Sequence, residues 1–95
     1  MNDGRQMLED QQTVLDTFWQ QANHSAGAGQ NEEARSWLEG IVELDDDNIE
    51  AWLRLAELIP DARERMHCYV RVLEISPRNA QARTGIRKTR RELRS

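Results

Sequence analysis

Residues 41–52, IVELDDDNIEAW, and residues 72–83, VLEISPRNAQAR, are one pattern written twice. Glu43, Asn48 and Ala51 recur as Glu74, Asn79 and Ala82, while Leu38, Ile41, Val42 and Leu44 become Tyr69, Val72, Leu73 and Ile75, all at a single offset of 31 residues. No gap interrupts the register. The matches fall on one apolar face and on a polar position ahead of a helix, where a structural repeat requires them. In each copy an amphipathic helix ends and a short polar stretch turns the chain. An asparagine then stands where its side chain can accept a hydrogen bond from the free amides of the next helix. The pattern predicts helix, turn, helix.

The same spacing extends outward. Within residues 5–25, Leu8, Leu15, Phe18, Trp19 and Ala22 recur at helical steps and share one face, which predicts a first helix. The stretch from Ser25 to Asn31 carries two glycines among small polar residues, so it is expected to end that helix, with Asn31 capping the next. Over residues 32–44, Ala34, Leu38, Ile41 and Val42 form a second stripe with Trp37 beside it. Asp45, Asp46 and Asp47 then suit the positive end of a third helix, which is kept short because Pro60 disfavours helical geometry at Ile59. Asp61 with Glu64 three residues on resembles a capping box for a fourth helix to Ile75. Pro77 ends that helix and Asn79 caps a fifth. Strand signals are scarce, with five aromatic residues and no Asn-Gly or Asp-Gly turn.

The residues from Asn48 to Leu58, with Trp52, then Leu55, then the small Ala56, resemble the first helix of a tetratricopeptide repeat. Val72-Leu73-Glu74-Ile75-Ser76-Pro77-Arg78-Asn79 is similar to that family's repeat ending. The resemblance implies an all-α fold of about five helices, antiparallel hairpins stacked as a right-handed superhelix with a C-terminal capping helix. It divides a single domain, 1–95, into a degenerate first repeat over 5–44, a second over 48–78 and a cap over 79–95. Phe18 and Ala22 match only loosely, and the repeat is 31 residues long against the family's usual length of about 34. Arg65 stands where the earlier copy has the small Ala34. In the last helix Ala82, Ile86, Thr89 and Leu93 are expected to be the buried stripe. Arg83 and Arg87 replace Trp52 and Ala56, which gives the polar outer face a terminal helix needs.

A chain of 95 residues supports one core, and 38% hydrophobic with 32% charged residues fits a thin fold with a single buried seam. No apolar run is long enough to cross a bilayer, and Met1-Asn2-Asp3-Gly4-Arg5 lacks a signal-peptide pattern, so a cytoplasmic protein is expected. Cys68 is alone, and neither metal-ligand spacing nor a cofactor motif occurs. Charge is lopsided. Residues 1–61 hold 14 acidic and 3 basic side chains, a balance of −11, and residues 78–95 hold 7 basic and 1 acidic, a balance of +6.

Three surfaces compete for function. With Trp52, Leu55, Ala56 and Ile59 on the core face of the third helix, Glu50, Leu53, Arg54 and Glu57 point the other way. The family resemblance implies that this inner face lines a concave groove for a protein or peptide partner. By register Trp19 and Asn23 join from the first helix, and Thr84 and Lys88 from the last. The expected function is therefore a non-enzymatic scaffold or adaptor. The family's carboxylate clamp is not reproduced, because only Asn23 conforms while Trp19, Gln81 and Gly85 depart.

The second surface is a basic stripe, Arg83, Arg87, Arg90 and Arg94, widened by Arg91 and Lys88. Its rival partner is nucleic acid, in a regulatory role. The acidic remainder and the lack of interleaved aromatic residues argue against that. The third surface would be a homo-oligomer, with the basic end of one copy on the acidic half of another, helped by an exposed Met7 or Leu8. Catalysis has little to work with. His67 and Cys68 are adjacent, so on a helix they project about 100° apart and cannot act as base and nucleophile.

Overall fold

The computed structural model describes the backbone of residues 4–95 and the side chains of residues 10–95. Met7 and Leu8, read above as aids to self-association, lie outside the described side chains. Five helices and no strand occur among the described residues: α1 (Gly4–Gly27), α2 (Asn31–Leu44), α3 (Ile49–Leu58), α4 (Ala62–Ile75) and α5 (Ala80–Arg94). The chain forms two compact units, a first ending at Asp46 and a second, Asp47–Ser95.

The 31-residue offset is written in the backbone. Helices α2 and α4 begin and end 31 residues apart, as do the first residues of α3 and α5. Asn48 caps α3 by accepting from the Ala51 amide at 3.0 Å, and Asn79 caps α5 by accepting from the Ala82 amide at 2.9 Å. Even the residues closing the preceding helices match: Asp45 (φ −141°, ψ 85°) and Ser76 (φ −135°, ψ 89°) each donate a backbone amide four residues back. Asp61 caps α4, accepting from Arg63 and Glu64. Ile59 before Pro60 is extended (φ −84°, ψ 118°), as steric conflict with the proline ring requires.

In the first unit α1 packs on α2 as a helical hairpin. The helix ends at Gly27, within the glycine-bearing stretch expected to stop it, and closes at Gly29. Gly29 takes φ 76°, Gln30 donates to the Ser25 carbonyl at 2.8 Å and Gly29 to that of Ala26 at 3.1 Å, so a Schellman motif satisfies the last carbonyls. That motif ends at Gln30, so α2 starts at once, and Asn31 is its first residue and not its cap. Gln30 makes no side-chain cap bond, and Glu32 and Glu33 occupy the first turn, where their charge suits the helix dipole. Leu15, Ala22 and Ser25 of α1 are buried with Ala34, Leu38, Ile41 and Val42 of α2. Phe18 lies 5.3 Å from the Trp37 ring and sits over Gly40, where an added Cβ would come within 2.9 Å of it.

In the second unit α4 packs on both α3 and α5. Ala51, Leu55 and Ala56 of α3 and the Ile59 that follows it are buried, whereas Trp52 is half-buried. The α5 stripe differs from expectation. Ala82, Gly85 and Thr89 are the buried residues, Ile86 is half-buried, and Leu93 is 45% exposed. Small residues win because the Tyr69 ring of α4 occupies the space above Gly85 and α5 must approach it closely. Arg65 also finds its reason here. It donates to the Ile59 and Pro60 carbonyls at the end of α3 and to Glu92 of α5 at 2.7 Å, a join that the smaller residue of the first copy could not make. Arg71 likewise ties α4 to Asp47 ahead of α3, at 3.4 Å.

Candidate functional site

Both flanks of α5 carry an open groove. On the first, Thr84 and Lys88 line a cavity with Tyr69, Ala80, Gln81 and Gly85. The aromatic floor depends on the missing side chain at Gly85, since a Cβ there would stand 2.5 Å and 2.6 Å from the Tyr69 Cε1 and Cε2 atoms and nearer still to Cζ. Burial pushes the Tyr69 phenol above its ordinary value of 10.0. The Arg65 guanidinium acts in the opposite sense, and Glu57, Cys68 and Glu92 add to the rise. At neutral pH the ring therefore offers a protonated hydroxyl, beside the Lys88 ammonium, the Thr84 hydroxyl and the Gln81 amide. Such a set can hold an apolar side chain on the ring and hydrogen-bond a carboxylate or peptide carbonyl at the rim.

Of the inner-face residues read from sequence, Thr84 and Lys88 are exposed and line this groove, and Glu57 is exposed on α3, near enough to act on Tyr69 through its charge. Glu50 is exposed and pairs with Arg54 at 3.3 Å along α3, while Leu53 and Arg54 are half-buried. Trp19, half-buried, and Asn23, exposed, belong to the first unit and do not line the groove. Sequence reasoning missed Tyr69 and Gly85 as partners. The signal was in the offset: Leu38 becomes Tyr69 and Arg54 becomes Gly85, a ring gained on one helix and a side chain lost on the other.

On the other flank Arg83, Arg87 and Arg90 surround an apolar floor of Leu73 and Ile86. Arg91 and Arg94 are exposed in the last turn of α5, where they suit its negative dipole end, and do not line this groove. No family model matches the chain, and no curated protein does.

Among the described residues no three potential metal ligands cluster, and no helix is long and apolar enough to cross a membrane. Cys68 is a buried thiol outside any disulfide and His67 beside it is exposed, so the two face different surroundings.

Proposed function

We propose that the chain is a non-enzymatic, tetratricopeptide-like docking module that holds a peptide or helix of a protein partner, as an adaptor in the cytosol. The observation that carries this reading is the Tyr69 groove, where residues placed by repeat register, Thr84 and Lys88, surround an aromatic floor. An aromatic ring with a few convergent polar groups is a common arrangement for gripping extended chains. The 31-residue repeat supports it further, because stacked hairpins leave one helix face to each repeat that packing does not use. The exposed Glu57 of α3 lies near enough to Tyr69 to act on it through its charge and offers a further contact.

Selection from a random peptide library displayed on phage tests the reading. The wild-type chain should enrich a sequence motif that is lost when the target carries Lys88→Glu or Tyr69→Leu. Enrichment that survives both substitutions, or no motif after repeated rounds, counts against a peptide-docking role for this surface.

A further inference from the structure

The second α5 groove differs in kind from the Tyr69 groove. Its five lining residues, Leu73, Arg83, Ile86, Arg87 and Arg90, stand 31 residues after Val42, Trp52, Leu55, Ala56 and Ile59. Four of those earlier residues are buried and Trp52 is half-buried. At α5 the face keeps its apolar centre, with Leu73 and Ile86 half-buried, and exchanges its rim for three guanidinium groups. The apolar centre is retained while the charge of the rim is rewritten.

Arg35 pairs with Glu39, Arg54 with Glu50, Arg65 with Glu92, and Arg71 with Glu74 and Asp47. Among the described residues Arg83, Arg87 and Arg90 share the lack of a carboxylate pair with Arg63, Arg78, Arg91 and Arg94, and differ from those four in lining a groove with an apolar floor. Arg87 makes one long contact, to the Thr84 hydroxyl at 3.4 Å. Steps of four and three residues place the three guanidinium groups along about 10 Å of helix. Carboxylates at i, i+3 or i+4, and i+7 of an opposing helix match that spacing, and planar guanidinium forks bind carboxylates bidentately.

We infer that this groove receives an acidic amphipathic helix of a protein partner, its leucine-type side chains on Leu73 and Ile86 and its carboxylates on Arg83, Arg87 and Arg90. The inference rests on the docking-module reading and names the chemistry of one partner. The acidic balance of residues 1–61 disfavours a polyanion such as nucleic acid, because it repels a long chain of phosphates more than a short helix bearing a few carboxylates.

Fluorescence anisotropy with a labelled synthetic helix of about 18 residues tests it, the peptide carrying leucines on one stripe and glutamates on both flanks. Saturable binding is expected, about tenfold or more tighter than to a peptide of the same composition whose leucines share no face. Reversing Arg83, Arg87 and Arg90 to Glu should weaken binding about tenfold or more, with Arg87→Glu alone giving part of that loss. Reversing the exposed Arg78, Arg91 and Arg94 changes net charge equally and should shift affinity by no more than about threefold. All six arginines are exposed, and circular dichroism checks that each variant stays helical.

Lys88→Glu should leave the acidic helix bound. If it abolishes binding while the groove arginines can be reversed freely, the Tyr69 groove is the site and this inference falls, although the docking module stands. Equal binding of the two peptides, no saturable binding, or tighter binding of duplex DNA that is lost on reversing the same three arginines overturns it as well.

Discussion

Gly85→Ala isolates the contact on which the Tyr69 groove is built. In the interior of an exposed helix this change ordinarily stabilises by about 1 kcal/mol, because alanine restricts the unfolded chain and favours helix. At Gly85 the new methyl would overlap three atoms of the Tyr69 ring, Cζ, Cε1 and Cε2. Inserting a methyl into a filled space costs about 1–3 kcal/mol through forced rotamers and backbone shifts. The two terms oppose one another, and the expected net effect is a destabilisation of about 1 kcal/mol, or about 4–8 °C in melting temperature. Tyr69→Leu removes all three overlapping atoms and restores the residue type of the first copy, Leu38. In that background Gly85→Ala should stabilise by about 1 kcal/mol, so the substitution changes sign and the pair couples by about 2 kcal/mol. Urea denaturation of the four proteins, followed by far-ultraviolet circular dichroism, measures the cycle. A Gly85→Ala change that stabilises equally in both backgrounds would show that the ring does not depend on the bare helix backbone, and the groove would lose its floor.

Other consequences are accessible to simple assays. Tyr69 is the single tyrosine, so an alkaline absorbance titration reads its phenol alone, and the midpoint should lie above 10.0. Because the folded value is raised, the neutral phenol favours the fold. Its contribution is complete below the unfolded value and is lost as pH climbs through the folded midpoint, a loss that Tyr69→Phe should remove and that an unchanged pH slope would contradict. Asn48→Ala and Asn79→Ala should each lower stability by about 1 kcal/mol in urea melts, whereas Asn31→Ala should be close to neutral; an equal loss at Asn31 would restore the cap that α2 lacks. Trp52→Ala should cost about 2–3 kcal/mol, below the about 3–5 of a fully buried ring, and Leu53→Glu less than about 1, with equal losses from both contradicting the assignment of the two faces of α3.

The fold was legible because its determinants are local. Apolar stripes at helical spacing, two asparagine caps and two prolines act within a few residues of themselves, and a repeat duplicates each signal. Asn31 misled because a neighbouring glycine decided the matter. Once Gly29 adopts its left-handed conformation, the Schellman motif consumes Gln30 and the next helix needs no asparagine cap. The buried stripe of α5 was misread for a different reason. Leu93 looks like a core residue by type, but Gly85 is chosen by a ring 16 positions earlier, which spacing within one helix cannot reveal. The grooves themselves were half legible. Thr84, Lys88 and the arginines could be placed by register, whereas Tyr69, Leu73 and Ile86, the floors on which they stand, belong to the contact between helices.

Placing the two copies in register separates what the repeat needs from what it permits. Positions that hold the hairpins together barely change: Ile41 and Val72, Ala51 and Ala82 are all fully or nearly fully buried. Positions that change most lie on the two flanks of α5. Toward one flank the copies exchange Leu38 for Tyr69 and Arg54 for Gly85, which trades a charged helix surface for an aromatic one beside the single lysine of the chain. On the other they exchange Trp52, Ala56 and Ile59 for three arginines while Leu55 and Val42 remain aliphatic as Ile86 and Leu73. A terminal helix that needed only solubility could place any polar residue along its outer rim, and lysine or glutamate would do as well. Three arginines around a retained apolar floor, with no carboxylate paired to them among the described residues, ask more than solubility does. Guanidinium keeps its charge at any physiological pH and carries five donors in a fixed plane, so it discriminates by geometry where an ammonium cannot. The departures from the repeat, and not the repeat, therefore mark the two surfaces proposed for docking.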